Sequence, residues 1–136
     1  MILGNVNWLA IIVAMIASMA LGAVWYTTLG NRWMAALGKT REQIVGGGST
    51  ITPFIWTAAM QLVSAYFLAR LTPLVFDTTT IVNAVQLGFF LWLGFVLTSM
   101  ITNHRYQGSK WSLALIDGGY GLGVLLIQGL VIGLFG

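Results

Sequence analysis

The sequence has very few charged residues and no cysteine. Of its 136 residues, 7% are charged and 58% are hydrophobic, whereas about a quarter of the residues in a soluble globular domain are charged. Six basic and three acidic side chains are too few to keep so apolar a surface in water, so we expect an integral membrane protein in contact with the lipid bilayer. The absence of cysteine excludes disulfides, thiolate metal sites and a thiol nucleophile.

Four long segments carry almost no charge, and each is long enough to cross a bilayer, which takes about 20 mostly apolar residues. The predicted spans cover residues 8–29, 53–71, 81–102 and 112–135, and the last contains one acidic residue, Asp117. No stretch is left over for a separate soluble domain. The sequence therefore predicts an all-α fold in which residues 1–136 form a single four-helix transmembrane bundle.

The first connection between predicted spans is the longest. Asn31 to Leu37 is followed by Gly38, which is typical of a helix end, and then by Thr40 to Gln43, which has the spacing of a capping box. We expect a short interfacial helix in this connection, followed by a flexible linker at Gly46 to Ser49. Pro73 is expected to end the second span.

Basic residues are unevenly distributed among the connections, which predicts an orientation. Five of the six fall in the first and third connections: Arg32, Lys39, Arg41, Arg105 and Lys110. Because cytoplasmic loops are enriched in Lys and Arg, we expect these two connections in the cytoplasm and both termini outside. Five aromatic residues are expected to form a belt at the cytoplasmic interface: Trp25, Tyr26, Trp33, Tyr106 and Trp111.

Small residues recur at four-residue spacing on the first and fourth predicted helices, and such positions allow close backbone approach in lipid. The predicted helix-packing residues are Ala14, Ser18, Gly22, Gly119, Gly123, Gly129 and Gly133. Two interpretations remain open: packing within one bundle, and an interface between subunits or with another membrane protein. We expect the protein to form a homo-oligomer, because so small a chain cannot shield both sets of small residues and also enclose a pathway.

Polar side chains inside the spans are the candidate functional residues. Asp117 stands out, because an ionised carboxylate within a span requires a cation or several hydrogen-bond donors. Both structural pairing, with a basic side chain or a tyrosine hydroxyl, and a role in a proton, ion or solute pathway are open. The candidate polar or pathway residues are Asp117, Tyr120, Gln128, Gln61, Asn103 and Arg105.

The residue types needed for catalysis or cofactor binding are scarce. The chain has one histidine, and its three acidic residues, Glu42, Asp77 and Asp117, lie in different segments. One chain therefore cannot assemble a paired-carboxylate or histidine metal site, and we expect no enzyme activity, no metal and no cofactor. The basic residues form no stripe, so nucleic acid is not an expected partner.

Several motifs in combination resemble a known family. They are Asn7-Trp8, Gly22-Ala23-Val24-Trp25-Tyr26, Gly88 to Phe95, Asn103, and Ile116-Asp117-Gly118-Gly119-Tyr120. The chain resembles, over nearly its whole length, the bacterial membrane-protein family catalogued as domain of unknown function 1761. The resemblance implies a four-helix integral membrane protein with no established activity, and hence a place in the bacterial cytoplasmic (inner) membrane.

Two classes of function are consistent with these features. The first is a self-associating structural or accessory membrane protein without catalytic activity, which we favour. The alternative is an oligomeric channel or transporter for a small solute or ion, with a polar pathway near Asp117.

Overall fold

The computed structural model describes residues 6–45 and 51–136, which contain helices and no strand. Four helices are long and apolar enough to cross a membrane: Trp8–Leu37, Ile51–Phe76, Ile81–Gln107 and Trp111–Phe135. The elements are α1 (Trp8–Leu37), α2 (Arg41–Val45), α3 (Ile51–Phe76), α4 (Ile81–Leu91), α5 (Leu97–Gln107) and α6 (Trp111–Phe135). A π-helical segment, Trp92–Val96, joins α4 and α5. The predicted all-α membrane fold is confirmed.

Helix α6 lies at the centre of the bundle and packs against α1, α3 and α4. Its pairing with α1 is antiparallel, because Ser18 contacts Gln128 near the end of α6, whereas Trp25 contacts Ile116 near its beginning. The first turn of α1 and the last turn of α6 therefore lie at the same end of the bundle.

The apolar core lies towards the end of the bundle that holds both chain termini. Helices α1, α3, α4 and α6 contribute small and branched side chains to this core: Ile11, Ala14, Ala65, Leu68, Ala84, Leu87 and Ile132. By contrast, neither α5 nor the π-helical segment, both fully described, contributes a buried residue. The second half of the third span therefore adds no residue to the core, although Met100 of α5 lies against Gly118 of α6.

The first connection differs from the sequence prediction. Residues 31–37 are the last turns of α1, which continues to Leu37 and ends at Gly38 with φ 71°. A single glycine at position 30 does not break the helix, since glycine inside a helix costs only about 0.5–1 kcal/mol. The capping box is confirmed, because the Thr40 N–H donates to Gln43 Oε1 (2.8 Å) and the Gln43 N–H to Thr40 Oγ1 (3.2 Å). The short helix of this connection is thus α2 alone, and the predicted linker at 46–49 lies outside the described residues.

The second and third spans are longer than predicted. Helix α3 continues through Pro73 to Phe76, so the expectation that Pro73 ends it is wrong. Spanning helices tolerate proline because neighbouring groups can satisfy the freed carbonyl. Pro73 removes the helical donor of the Ala69 carbonyl, and the hydroxyl of the preceding Thr72 donates to the adjacent Leu68 carbonyl (2.6 Å). The third span continues past residue 102 to Gln107 and ends at Gly108, whose φ of 69° favours glycine.

Candidate functional site

A buried polar cluster, formed by Ser18, Gln61, Ser64, Tyr120 and Gln128, lies where α1, α3 and α6 meet. The Gln128 side chain is fully buried and has partners on both of the other helices. Its Nε2 donates to Ser18 Oγ (3.1 Å) and to the Gln61 carbonyl (3.0 Å), and its Oε1 accepts from Ser64 Oγ (2.9 Å). One amide therefore links three helices, as expected where buried polar groups in lipid must find partners within the protein.

Tyr120 extends this cluster towards the first connection. Its hydroxyl accepts a hydrogen bond from Gln61 Nε2 (3.0 Å). Gly22 makes room for the ring, since a Cβ atom at that position would lie 2.7 Å from Tyr120 Oη. The glycine on α1 thus permits a tyrosine from α6 to reach α3.

Asp117 lies one turn before Tyr120 and is partly buried. Its Oδ1 accepts a short hydrogen bond (2.6 Å) from the Tyr26 hydroxyl of α1. The Tyr26 ring also packs edge-on against the Tyr120 ring, with centroids 5.2 Å apart. Among the alternatives left open by the sequence, the partner found for Asp117 is a tyrosine hydroxyl rather than a basic side chain.

Two tryptophans hold the backbone on either side of Asp117. The Trp25 indole N–H of α1 donates to the Ile116 carbonyl (3.0 Å), and the Trp92 indole N–H of the π-helical segment donates to the Gly118 carbonyl (2.9 Å). The sequence predicts that Trp25 and Tyr26 belong to an aromatic belt at the membrane interface, and it predicts no functional role for Trp92. Their contacts depend on which face of each helix meets α6, which spacing alone does not reveal.

The predicted helix-packing residues lie against other helices of the same chain. Ala14 and Ser18 are fully buried. A Cβ atom at Gly119 would lie 2.9 Å from the Trp25 ring, and one at Gly123 would lie 2.9 Å from the Leu21 side chain.

Towards the chain termini, glycines of α6 meet the backbone of α4. A Cβ atom at Gly129 would lie 2.7 Å from the Ala84 carbonyl oxygen, and one at Gly133 would overlap the backbone of Ile81. These close approaches, like those of Gly119 and Gly123, fill the small-residue surfaces from within one chain.

The other two candidate polar residues lie apart from the cluster. Arg105 donates to the Ser109 carbonyl (2.6 Å) and its guanidinium lies 3.8 Å from the centroid of the Trp111 ring. The Asn103 side chain is exposed and forms no hydrogen bond with any residue that the structure describes. Neither side chain forms a hydrogen bond or ion pair with Asp117 or Gln128.

Two cavities adjoin Tyr26, the partner of Asp117. One, of ≈260 Å³, lies between α1 and α3 and is lined by Gly22, Phe54 and Tyr120 among others; the second, of ≈470 Å³, is bordered by Asn31 and Trp33. The chemistry at hand consists of amides, hydroxyls and one carboxylate. Across residues 6–45 and 51–136, no three His, Asp or Glu side chains are grouped so as to hold a metal ion.

The fold and site define a small multi-span membrane protein with an amide and hydroxyl cluster inside a four-helix bundle. A family model described as "Protein of unknown function (DUF1761)" matches residues 9–133, and the chain belongs to this family. The match includes every residue of the cluster and Asp117. No curated protein and no solved structure matches the chain.

Proposed function

We propose that the protein is a self-associating, non-catalytic structural or accessory membrane protein whose subunits meet through the exposed face of α5. The observation that carries this proposal is that α5 buries no residue while it exposes Ser99 and Asn103 within the third span. Neither side chain has a hydrogen-bond partner among the described residues. In lipid, such side chains are stabilised by partners on a neighbouring helix.

The same part of the third span also offers small residues for close packing. Gly94, Thr98 and Thr102 are exposed and spaced four residues apart, and a Cβ atom at Gly94 would meet nothing within 4 Å. Both threonine hydroxyls donate to carbonyls of their own helix, Thr98 to Gly94 O and Thr102 to Thr98 O, each at 2.9 Å. The helix can therefore accept a close neighbour without leaving these hydroxyls unpaired.

A second copy of the chain is the occupant that this face fits. Two α5 helices related by a two-fold axis would place Asn103 opposite Asn103, and an amide both donates and accepts hydrogen bonds. The small-residue surfaces of α1 and α6 do not compete for this role, because helices of the same chain already fill them. We further propose a location in the bacterial cytoplasmic (inner) membrane with both termini outward, an orientation that the distribution of basic residues supports.

Cysteine cross-linking in membranes tests the proposal cleanly, because the natural sequence has no cysteine. Ser99→Cys and Asn103→Cys should each form a covalent dimer on mild oxidation. Val24→Cys is the matched control, because Val24 is 64% exposed and lies beside Trp25, which contacts α6 at the level of Asp117. Cross-linking of Val24→Cys alone, or of none of the three variants, would contradict the proposed interface.

One observation favours a second candidate function, an oligomeric channel or transporter for a small ion or solute. Asp117 is only partly buried, and its partner Tyr26 lines two cavities. An ionisable group in a span next to open space is a feature of ion and proton pathways. Reconstituted vesicles test this candidate: wild-type protein should mediate a flux that Asp117→Asn abolishes without loss of assembly, and absence of wild-type flux for protons and common cations would rule it out.

A further inference from the structure

A groove of ≈540 Å³ lies between the end of α1 and the beginning of α6. Its walls include Trp25, Leu29 and Ile116, and its rim carries Arg32 and Lys110. We call it the basic groove. It belongs neither to the polar cluster nor to the exposed face of α5, so it needs an explanation of its own.

Both cations of the basic groove are available to a ligand. Arg32 and Lys110 are exposed, and neither side chain forms an ion pair or a hydrogen bond with a residue that the structure describes. Arg105 differs, because its guanidinium is held by the Ser109 carbonyl and by Trp111. No Asp or Glu is among the described residues that line the groove, so its rim is positive.

The remaining residues that line the basic groove are apolar except for Ser112. Ile116 is buried, and its carbonyl accepts the Trp25 indole N–H, which joins α1 to α6 at the base of the groove. Leu29 and Leu115 continue the wall, and Leu115 is 78% exposed. The basic groove thus has positive charge at its rim and an apolar wall that can contact a hydrocarbon chain along α1 and α6.

We propose that the basic groove binds an anionic phospholipid, with its phosphate between Arg32 and Lys110 and an acyl chain along Leu29 and Leu115. Charge complementarity at the rim favours an anion, and the apolar wall favours a ligand with a hydrocarbon tail. Basic pockets between spanning helices near the membrane surface are suited to anionic headgroups. Lys110 is also the N-cap residue of α6, so the positive end of that helix lies beside the groove.

Native mass spectrometry of the full chain in neutral detergent, titrated with short-chain phosphatidylglycerol, tests the proposal. Arg32→Gln and Lys110→Gln should each weaken lipid binding about 5-fold, and together about 30-fold, which corresponds to roughly 1 kcal/mol for each basic residue near the surface. Lys39→Gln is the matched control, because it removes an exposed positive charge that does not line the groove.

A second variant tests the shape of the basic groove without changing its charge. Ala35 is exposed and lines the groove, so Ala35→Trp should fill it, leave the helical circular dichroism unchanged and abolish preferential lipid binding. Phosphatidylcholine should bind more weakly than phosphatidylglycerol, and inorganic phosphate at equal concentration should not displace the lipid. Equal binding of the two lipids, displacement by inorganic phosphate, an equal loss in Lys39→Gln, or unchanged binding in Ala35→Trp would each overturn the proposal.

Discussion

Replacing Gln128 with methionine should destabilise the bundle, although methionine is apolar and similar in length. Gln128 is fully buried and its amide connects α6 to α1 and α3. Methionine retains the packing volume but cannot donate to Ser18 Oγ or the Gln61 carbonyl, nor accept from Ser64 Oγ. The variant therefore removes hydrogen bonds with little change in shape.

The expected loss follows from the number of hydrogen bonds. Hydrogen bonds between helices in membranes are worth about 0.6 kcal/mol each on average, with a maximum near 1.7 kcal/mol. Three such bonds of 3.1 Å or less end on the Gln128 side chain, and a fourth, from Nε2 to Gln61 Oε1, is long at 3.4 Å. The free energy of unfolding should therefore fall by about 2 kcal/mol.

Reversible unfolding by sodium dodecyl sulfate in mixed micelles measures this loss. Leu125→Met is the matched control, because Leu125 is buried on the same helix. Volume-conserving apolar replacements of this kind usually cost less than about 1.5 kcal/mol. If Gln128→Met were no less stable than Leu125→Met, the hydrogen bonds of the polar cluster would not hold the helices together as described.

Three further predictions concern packing, Asp117 and topology. Gly133→Ala should lower the free energy of unfolding by about 1–3 kcal/mol, because the new Cβ atom would overlap the Ile81 backbone. Gly30→Ala should leave the free energy of unfolding unchanged or raise it, because a Cβ atom there meets nothing within 4 Å. Equal micelle stabilities for these two variants would contradict the α4–α6 packing. Asp117→Asn should retain the hydrogen bond from the Tyr26 hydroxyl. Asp117→Leu should lower the free energy of unfolding by about 1–2 kcal/mol in the same assay, because it leaves that hydroxyl without its acceptor. Equal stability of the two variants would show that Asp117 does not stabilise the bundle. For the predicted orientation, an impermeant thiol reagent added from outside should label Thr79→Cys and spare Ser49→Cys, and the reverse pattern would show that the assigned orientation is wrong.

The spanning helices could be predicted from the sequence because hydrocarbon tolerates few charges, so the gaps between charged residues mark the spans. The ends of those helices were less predictable. α1 runs seven residues past Gly30 to Leu37, because a single glycine costs a helix little. α3 continues through Pro73, because spanning helices tolerate proline. The capping box at Thr40 and Gln43 was predictable because it is a purely local arrangement.

The site was only partly predictable for a related reason. Spacing along one helix showed that Asp117, Tyr120 and Gln128 share a region of α6, but their partners lie about 60 to 110 residues away in sequence. The choice of Tyr26 for Asp117 depends on how α1 is rotated against α6, which the small residue Gly22 permits but does not specify. Small-residue spacing alone likewise cannot distinguish packing within a chain from packing between chains.

Each chain closes its own polar cluster, and we propose that association with a second copy uses α5. Solid-state nuclear magnetic resonance in bilayers tests it on a mixture of chains labelled separately with ¹³C and ¹⁵N, in which only contacts between chains give cross-peaks. We expect cross-peaks between chains for Ser99 and Asn103 and none for the Gln128 amide. Cross-peaks between Gln128 of one chain and Ser18 or Ser64 of another, without contacts at α5, would contradict it.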